Sequence, residues 1–371
     1  MAHNLFVFID GLPYDVVQET AFLAGLCPYR YKVRPGFGYS VNIHAEMFCG
    51  RTPDEVGYLN EWAFDPEHSP LRRLRLPAFL YNEQRRIRLP VLDRGLHVVL
   101  RRLSPALAAQ NVPFAYQHLF RRTQHSVYRG FLYTPFFQEI EGIHLVLSEK
   151  VPMKSGQRDA VSFQQAMDAL GTAAHLLVTF CDLDHFGHRY GVWTPEYMER
   201  VGNLEEWITR LAEAFLRRHG DGRLFVFSDH GMANVRRGVQ VALESALGEV
   251  GLRTYAYFLD STMLRLWVLG DGDLLARAVA LLDSLDCGTI ISEQERQDFG
   301  VTARAFGDLI FVLREGHVFS PSFLGNALPK AMHGHHPEEP GQQTVFLADQ
   351  QPAVAVRRTL DYYEVFRRSS S

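Results

Sequence analysis

Three short acidic motifs, each closing an apolar run, fix most of what this chain can become. They are Phe6-Val7-Phe8-Ile9-Asp10-Gly11, Phe180-Cys181-Asp182-Leu183-Asp184-His185-Phe186-Gly187-His188 and Phe225-Val226-Phe227-Ser228-Asp229-His230-Gly231. A fourth, His333-Gly334-His335-His336, follows near the C-terminus. Aspartate and histidine collected at strand ends supply hard carboxylates and borderline imidazoles on a rigid support, which is what a divalent cation needs. The ligands are too many for one ion, so two are expected.

Residues 4–9, 176–180 and 224–227 are short, almost unbroken apolar runs and read as strands buried on both faces. Between the last two, residues 194–218 carry apolar side chains at helical spacing (Val201, Leu204, Trp207, Ile208, Leu211, Phe215) and end in Arg-Arg-His-Gly, a helix stop. Strand, helix, strand implies an α/β fold: a mostly parallel sheet flanked by helices, with functional groups at its carboxyl edge. Asp182 and Asp184 are both open as ligands here, since alternate residues of a strand share a face. His335 and His336 likewise compete with His333.

Two segments break the rhythm of a main domain spanning 1–371. Residues 66–108 form an insert in which Arg72, Arg73, Arg75, Arg85, Arg86, Arg88, Arg94, Arg101 and Arg102 crowd between leucines and prolines. Residues 236–323 alternate helical and strand-like runs, the pattern of a smaller inserted α+β cap. Its expected elements are a helix over 239–250, strands over 255–259 and 263–269, a helix over 274–285 and a strand over 308–313.

A formal charge of −4 argues against a general nucleic-acid binder. The Arg-rich stretch 72–102 is instead a candidate for capture of a polyanionic substrate or for peripheral contact with an anionic membrane. Cys27, Cys49, Cys181 and Cys287 are scattered without a CxxC pair, which reads as reduced thiols. With no leader ahead of the first strand and no apolar stretch of membrane-spanning length, the expected location is cytoplasmic.

Pro35-Gly36-Phe37-Gly38-Tyr39-Ser40 leads into a helix over 41–49 that Gly50 stops. Ser40 then sits at or beside the N-cap, facing the positive end of the helix, where an alkoxide or phosphate oxygen is favoured. A metal beside it would make it a nucleophile.

Asp10-Gly11, a hydroxyl residue ten positions before Gly50-Arg51-Thr52-Pro53, Asp184-x-x-Gly-His188, Ser228-Asp229-His230-Gly231 and His333-Gly334 together resemble the alkaline phosphatase superfamily. The nearest branch is the type I phosphodiesterase/nucleotide pyrophosphatase family. That family's nucleophile segment, Thr-Phe-Pro-Asn-His-x-x-x-x-Thr-Gly, is here Ser40-Val41-Asn42-Ile43-His44 closing at Cys49-Gly50, with serine for threonine and the Pro-Asn pair lost. The resemblance implies a two-metal phosphoric ester hydrolase. Asp184, His188 and His333 would hold one ion; Asp10, Asp229 and His230 would hold the other, with Ser40 bridging to it. It also selects Asp184 over Asp182 and His333 over its neighbours. A sulfatase is excluded, because Cys49-Gly50-Arg51-Thr52-Pro53 has cysteine, arginine and proline in the wrong order.

The resemblance points to zinc, with manganese suiting the carboxylates as well. The expected reaction is phosphodiester or nucleotide pyrophosphate hydrolysis through a covalent intermediate on Ser40, with a small-molecule, glycan or lipid-linked diester as substrate. Phosphomonoester hydrolysis, phosphoryl transfer to an alcohol, and a silent metal-binding protein are the alternatives. The resemblance implies an asparagine here that donates to a non-bridging phosphate oxygen; the matching position holds Glu61, and the adjacent Asn60 is the candidate oxyanion donor. Tyr39, Trp62 and Phe64 are candidates for an apolar wall against the substrate.

Overall fold

In the computed structural model, residues 3–69, 72, 118–122, 127–128, 131–251, 253–270, 272–325 and 327–370 are described. The chain divides into two compact units, one of residues 1–52, 126–235 and 329–371, the other of residues 53–125 and 236–328. Apart from Arg72, the Arg-rich stretch 72–102 and its expected membrane contact lie outside the described residues.

The first unit is built on a six-stranded sheet in the order Tyr29–Val33, Thr344–Ala348, Arg223–Phe227, Asn4–Ile9, His175–Phe180, Ile143–Val146. Asn4–Ile9 runs parallel to both neighbours, and Ile143–Val146 is parallel to His175–Phe180. Thr344–Ala348 is the antiparallel member, paired that way on both sides. The alternation of a strand sends Leu5, Val7 and Ile9 to one face and Phe6 and Phe8 to the other. The first set joins a core closed by Val201, Leu204, Ile208, Leu211 and Phe215 of the helix Pro195–Arg218. The second joins an aromatic core with Phe48, Phe136, Phe227, Tyr362 and Phe366. Helices thus cover both faces, and only the strand ends remain for chemistry.

Thr194 caps the helix Pro195–Arg218 by accepting from the Tyr197 amide, and proline opens its first turn. The expected strand-like placement of Asp182 and Asp184 is corrected. The strand stops at Phe180, and Asp182–Tyr190 is a helix with both acids in its first turn and His188 and Arg189 in its last. That distribution suits the helix dipole at each end.

The second unit holds a four-stranded antiparallel sheet in the order Tyr255–Leu259, Met263–Val268, Leu309–Leu313, Gly288–Ile290, with the helix Leu274–Asp283 among its elements. The expected helix over 239–250 shrinks to Leu243–Leu247. Its start is a strand, Arg237–Val239, paired in parallel with His317–Phe319. No helix among the described residues is long and apolar enough to cross a membrane.

Candidate metal centre and nucleophile

Three of the motifs follow strands of the first unit's sheet at its carboxyl edge, and His333 follows the short strand Ala331–Met332, paired with Ala233–Asn234. Asp10 follows the strand Asn4–Ile9, and its amide donates to the Phe180 carbonyl of the neighbouring strand (2.9 Å). Gly11 then turns with φ +72°, and a Cβ there would sit 3.1 Å from that of Asp184. Only glycine lets this turn come so close to Asp184.

Asp229 follows Arg223–Phe227 and is fully buried. One of its oxygens accepts from the amides of Gly11 (3.1 Å) and His230 (3.0 Å). The other, Oδ2, faces His230 Nε2 at 3.2 Å and His44 Nε2 at 3.4 Å. Asp184 and His188, one helical turn apart, meet at 3.2 Å, and His333 Nε2 lies 3.8 Å from the same Asp184 oxygen. Two donor groups are compact enough to grip a cation: Asp10, Asp229 and His230, and Asp184, His230 and His333, with the ligand atoms of each within 4.8 Å of one another. His230 belongs to both. His188 stands outside these two clusters and reaches them through Asp184.

Three features fit these groups to metal ions. Among the described residues, buried Asp10 Oδ1, Asp184 Oδ1 and Asp229 Oδ2 accept no hydrogen bond, a costly state for carboxylate oxygens that a cation would relieve. His188 Nδ1 donates to the Ala331 carbonyl and His230 Nδ1 to that of Gly231, both at 2.9 Å. Each Nε2 lone pair is thereby left facing the acids, the tautomer that metal ligands adopt. The donors are carboxylate oxygens and imidazole nitrogens, a set that zinc and manganese both accept.

Electrostatics separates the acids. Burial, then the charges of Asp229 and Asp184, pushes the Asp10 carboxyl well above the ordinary carboxylate range. Asp229 is held low: burial acts to raise it, but His230, His44 and the Gly11 amide outweigh that. Burial, followed by the neighbouring imidazoles of His230, His188 and His335, keeps His333 well below the usual histidine value and hence neutral.

Ser40 Oγ lies 2.9 Å from His230 Nε2, so the expected meeting of the serine with the Asp10–Asp229 group is present in the fold. Ser40 stands beside the N-cap, one of the two places its sequence position allows, and does not itself cap the helix. The helix is Ser40–Cys49, Tyr39 occupies the N-cap, and Asn42 does the capping. Its oxygen accepts from the Tyr39 amide (2.8 Å) and its NH2 donates to the Phe37 carbonyl (2.9 Å). This frees the Ser40 hydroxyl for His230. At the far end Gly50 adopts φ +62°, ending the helix where the sequence places its stop.

Sequence reasoning missed Asn42, and also Asp159. Asp159 accepts from the amides of Cys181 (2.9 Å) and Asp182 (3.1 Å), while Asp182 accepts from those of Gly156 (2.7 Å), Arg158 (2.9 Å) and Asp159 (3.2 Å). Two helix N-termini, those of Arg158–Ala169 and Asp182–Tyr190, thus exchange carboxylate caps. Asp182 is committed to this exchange rather than to a metal. The signal was an acid in the first turn of each helix.

The remaining candidates divide between the units. Tyr39 is buried in the first, its ring edge-on to His333 at 5.8 Å. Asn60, Trp62 and Phe64 belong to the second. There Asn60 donates to Asp260 and accepts from the Trp62 amide (2.6 Å) and Arg265 (3.2 Å). Trp62 stacks on Phe258 and Phe64 on Trp267. The two rings expected as a substrate wall are packing groups of that unit's core, because partners some two hundred residues away in sequence cover them.

The family model described as type I phosphodiesterase/nucleotide pyrophosphatase matches residues 109–338, more than half the chain. The match includes Asp184, His188, Asp229, His230 and His333, and Asp10 and Ser40 precede it. No curated protein matches the sequence. Among solved structures, an inactive variant of murine ectonucleotide pyrophosphatase/phosphodiesterase 5 in complex with AMP superposes with a TM-score of 0.66. Identity is 13%, over 100% of this chain and 95% of that one. The human counterpart gives 0.65 at 14% identity, over 99% and 94%.

Proposed function

The chain belongs to the type I phosphodiesterase/nucleotide pyrophosphatase family, and from that premise we propose that it cleaves phosphodiesters or nucleotide pyrophosphates with Ser40 as nucleophile, on two divalent ions. Hydrolysis of phosphate esters is the family's chemistry; the serine, the ions and the substrate class are the parts proposed. The observation that carries the reading is the 2.9 Å approach of Ser40 Oγ to His230 Nε2, the one imidazole common to both donor groups.

Asp10, Asp229 and His230 would hold one ion, and Asp184, His188 and His333 the other, with His230 within reach of both. When bound, such a pair lowers the serine pKa and neutralises charge on the attacking and leaving oxygens of an in-line displacement. Everything else falls to the chain. The helix Ser40–Cys49 points its N-terminus, the favourable end for an anion, at the reacting phosphoryl group. Asn42 holds the turn that aims Ser40, so the attacking oxygen is placed before substrate arrives. Ser40 Oγ gives up its proton and forms a bond to phosphorus as the first ester oxygen departs with its electron pair and takes up a proton. Water then attacks the same phosphorus, and the Ser40 oxygen leaves and is reprotonated.

A nucleotide is the favoured substrate class, supported by the AMP complex of the murine structure. Zinc is the favoured metal, from the three histidines in the donor set. A reducing, cytoplasmic setting is proposed on the four cysteines, all free and three of them buried. Asn60 as oxyanion donor requires it to leave Asp260.

The test is turnover of bis(p-nitrophenyl) phosphate against p-nitrophenyl phosphate, with Ser40→Ala as control, followed by trapping of a 32P-labelled enzyme with a labelled dinucleotide. A preferred diester and a label lost in Ser40→Ala support the reading. Full activity in Ser40→Ala would sink it.

A further inference from the structure

The second unit contains a cavity of about 380 Å³ between the helices Leu274–Asp283 and Glu293–Phe299 and the strands Gly288–Ile290 and Leu309–Leu313. Its apolar wall is Leu275, Val279, Ile290, Ile291 and Leu309. Leu275 and Val279 stand one helical turn apart on the same face. Leu275, 40% exposed, gives the mouth of the cavity an apolar surface open to solvent.

Arg296 sets this cavity apart. It lines the wall and is 92% buried, yet its guanidinium makes one hydrogen bond, from Nη2 to the Gly307 carbonyl at 2.9 Å. No carboxylate among the described residues forms an ion pair with it. The acids whose field reaches it are Glu293, Asp308 and Asp54. Asp308 is taken by Arg304 Nε (2.8 Å) and the Val268 amide (2.7 Å). Asp54 accepts from the amides of Thr302 and Ala303, both at 3.0 Å. Glu293 is exposed at the rim. The remaining N–H donors of Arg296 face the open cavity, and a guanidinium with open donors matches a carboxylate two bonds at a time.

We infer that this cavity is a binding site for a small organic monoanion, a carboxylate on an apolar body, whose head group pairs with Arg296 while its tail lies on Leu275, Val279 and Ile290. Arg304 is bound to Asp308, which leaves Arg296 as the guanidinium of the lining able to pair with an anion, and Glu293 at the rim opposes a second negative charge, so a monoanion suits the site better than a phosphate dianion. The volume lies at the lower end of the range for small-molecule pockets, which suits a medium-chain or simple aromatic acid. All the residues involved belong to one unit, so the site is independent of the Ser40 centre.

The experiment uses the full chain, with octanoate and phenylacetate as probes and octanamide as the uncharged match. Binding is followed by calorimetry and by the methyl NMR signals of Leu275, Val279, Ile290 and Leu309. The expected result is one carboxylate site per chain, octanamide at least tenfold weaker, and shifts confined to those methyls. Arg296→Gln should lose at least tenfold in octanoate affinity, Arg296→Lys less, and Val279→Trp should block the site by filling it. Circular dichroism and thermal unfolding of the full-chain variants, matched to wild type, report that they are folded. No binding of either acid, equal binding of octanoate and octanamide, or octanoate binding that survives both Arg296→Gln and Val279→Trp overturns the inference.

Discussion

The imidazole rings of His230 and His333 lie face to face, 3.7 Å between centroids and 6° from parallel. Two imidazolium ions would not tolerate that contact, so the pair is held with at least one ring neutral, as the depressed basicity of His333 also indicates. A neutral His333 keeps its nitrogen lone pair for a cation.

Because His230 serves both donor groups, single substitutions should differ in the ions they release. Asp10→Ala and Asp184→Ala are each expected to retain about one of two metals, and His230→Ala fewer than either. Elemental analysis of dialysed protein reads this directly. Equal metal content in all three variants would remove the shared-ligand arrangement.

Chelation with EDTA should abolish diester turnover, and zinc or manganese should restore it. Ser40→Ala should keep the wild-type metal content and yet lose activity on the order of 10³-fold or more, the scale on which removal of a nucleophile acts. A variant that loses ions and activity together would instead make Ser40 a ligand above all.

Asn42→Ala strips the Tyr39 amide and the Phe37 carbonyl of their partner in a buried turn. The expected loss is about 1–3 kcal/mol of stability, measured by urea unfolding. A fall in kcat should accompany it, with KM little changed, because the attacking oxygen loses its aim while substrate contacts stay. Unchanged kcat in a destabilised variant would leave Asn42 a structural residue only.

Burial, followed by the nearby Asp182 charge, raises Asp159 to about 7, against an unfolded value near 4. Its contribution to stability is therefore fully present below about pH 4 and is lost as pH rises through about 7, since the unfolded chain gives up the proton first. The difference in melting temperature between wild type and Asp159→Asn should shift in favour of the variant from pH 5 to pH 8. A difference that is flat across that range removes the raised Asp159.

The centre of the sheet was legible because Asn4–Ile9, His175–Phe180 and Arg223–Phe227 are apolar runs followed by Asp10, Asp182 and Asp229, whereas the outer strands Tyr29–Val33 and Ile143–Val146 mix polar and apolar residues and were not read. What escaped is what sequence neighbours do not decide. The helix Asp182–Tyr190 carries few apolar side chains at helical spacing, so its acids passed for a strand continuation, and its cap comes from Asp159 on another helix. Tyr39 gave no sign of an N-cap, since the capping group is the Asn42 side chain three residues on. Trp62 and Phe64 looked available because the rings that cover them, Phe258 and Trp267, lie far along the chain.

The exchange of caps between Asp159 and Asp182 bears on how the centre is filled. The segment bearing Asp184 and His188 is pinned by peptide N–H groups, which need no ion to hold their places. The socket is therefore cut before its contents arrive. A stripped chain should reload on mixing, at the pace of encounter rather than of refolding.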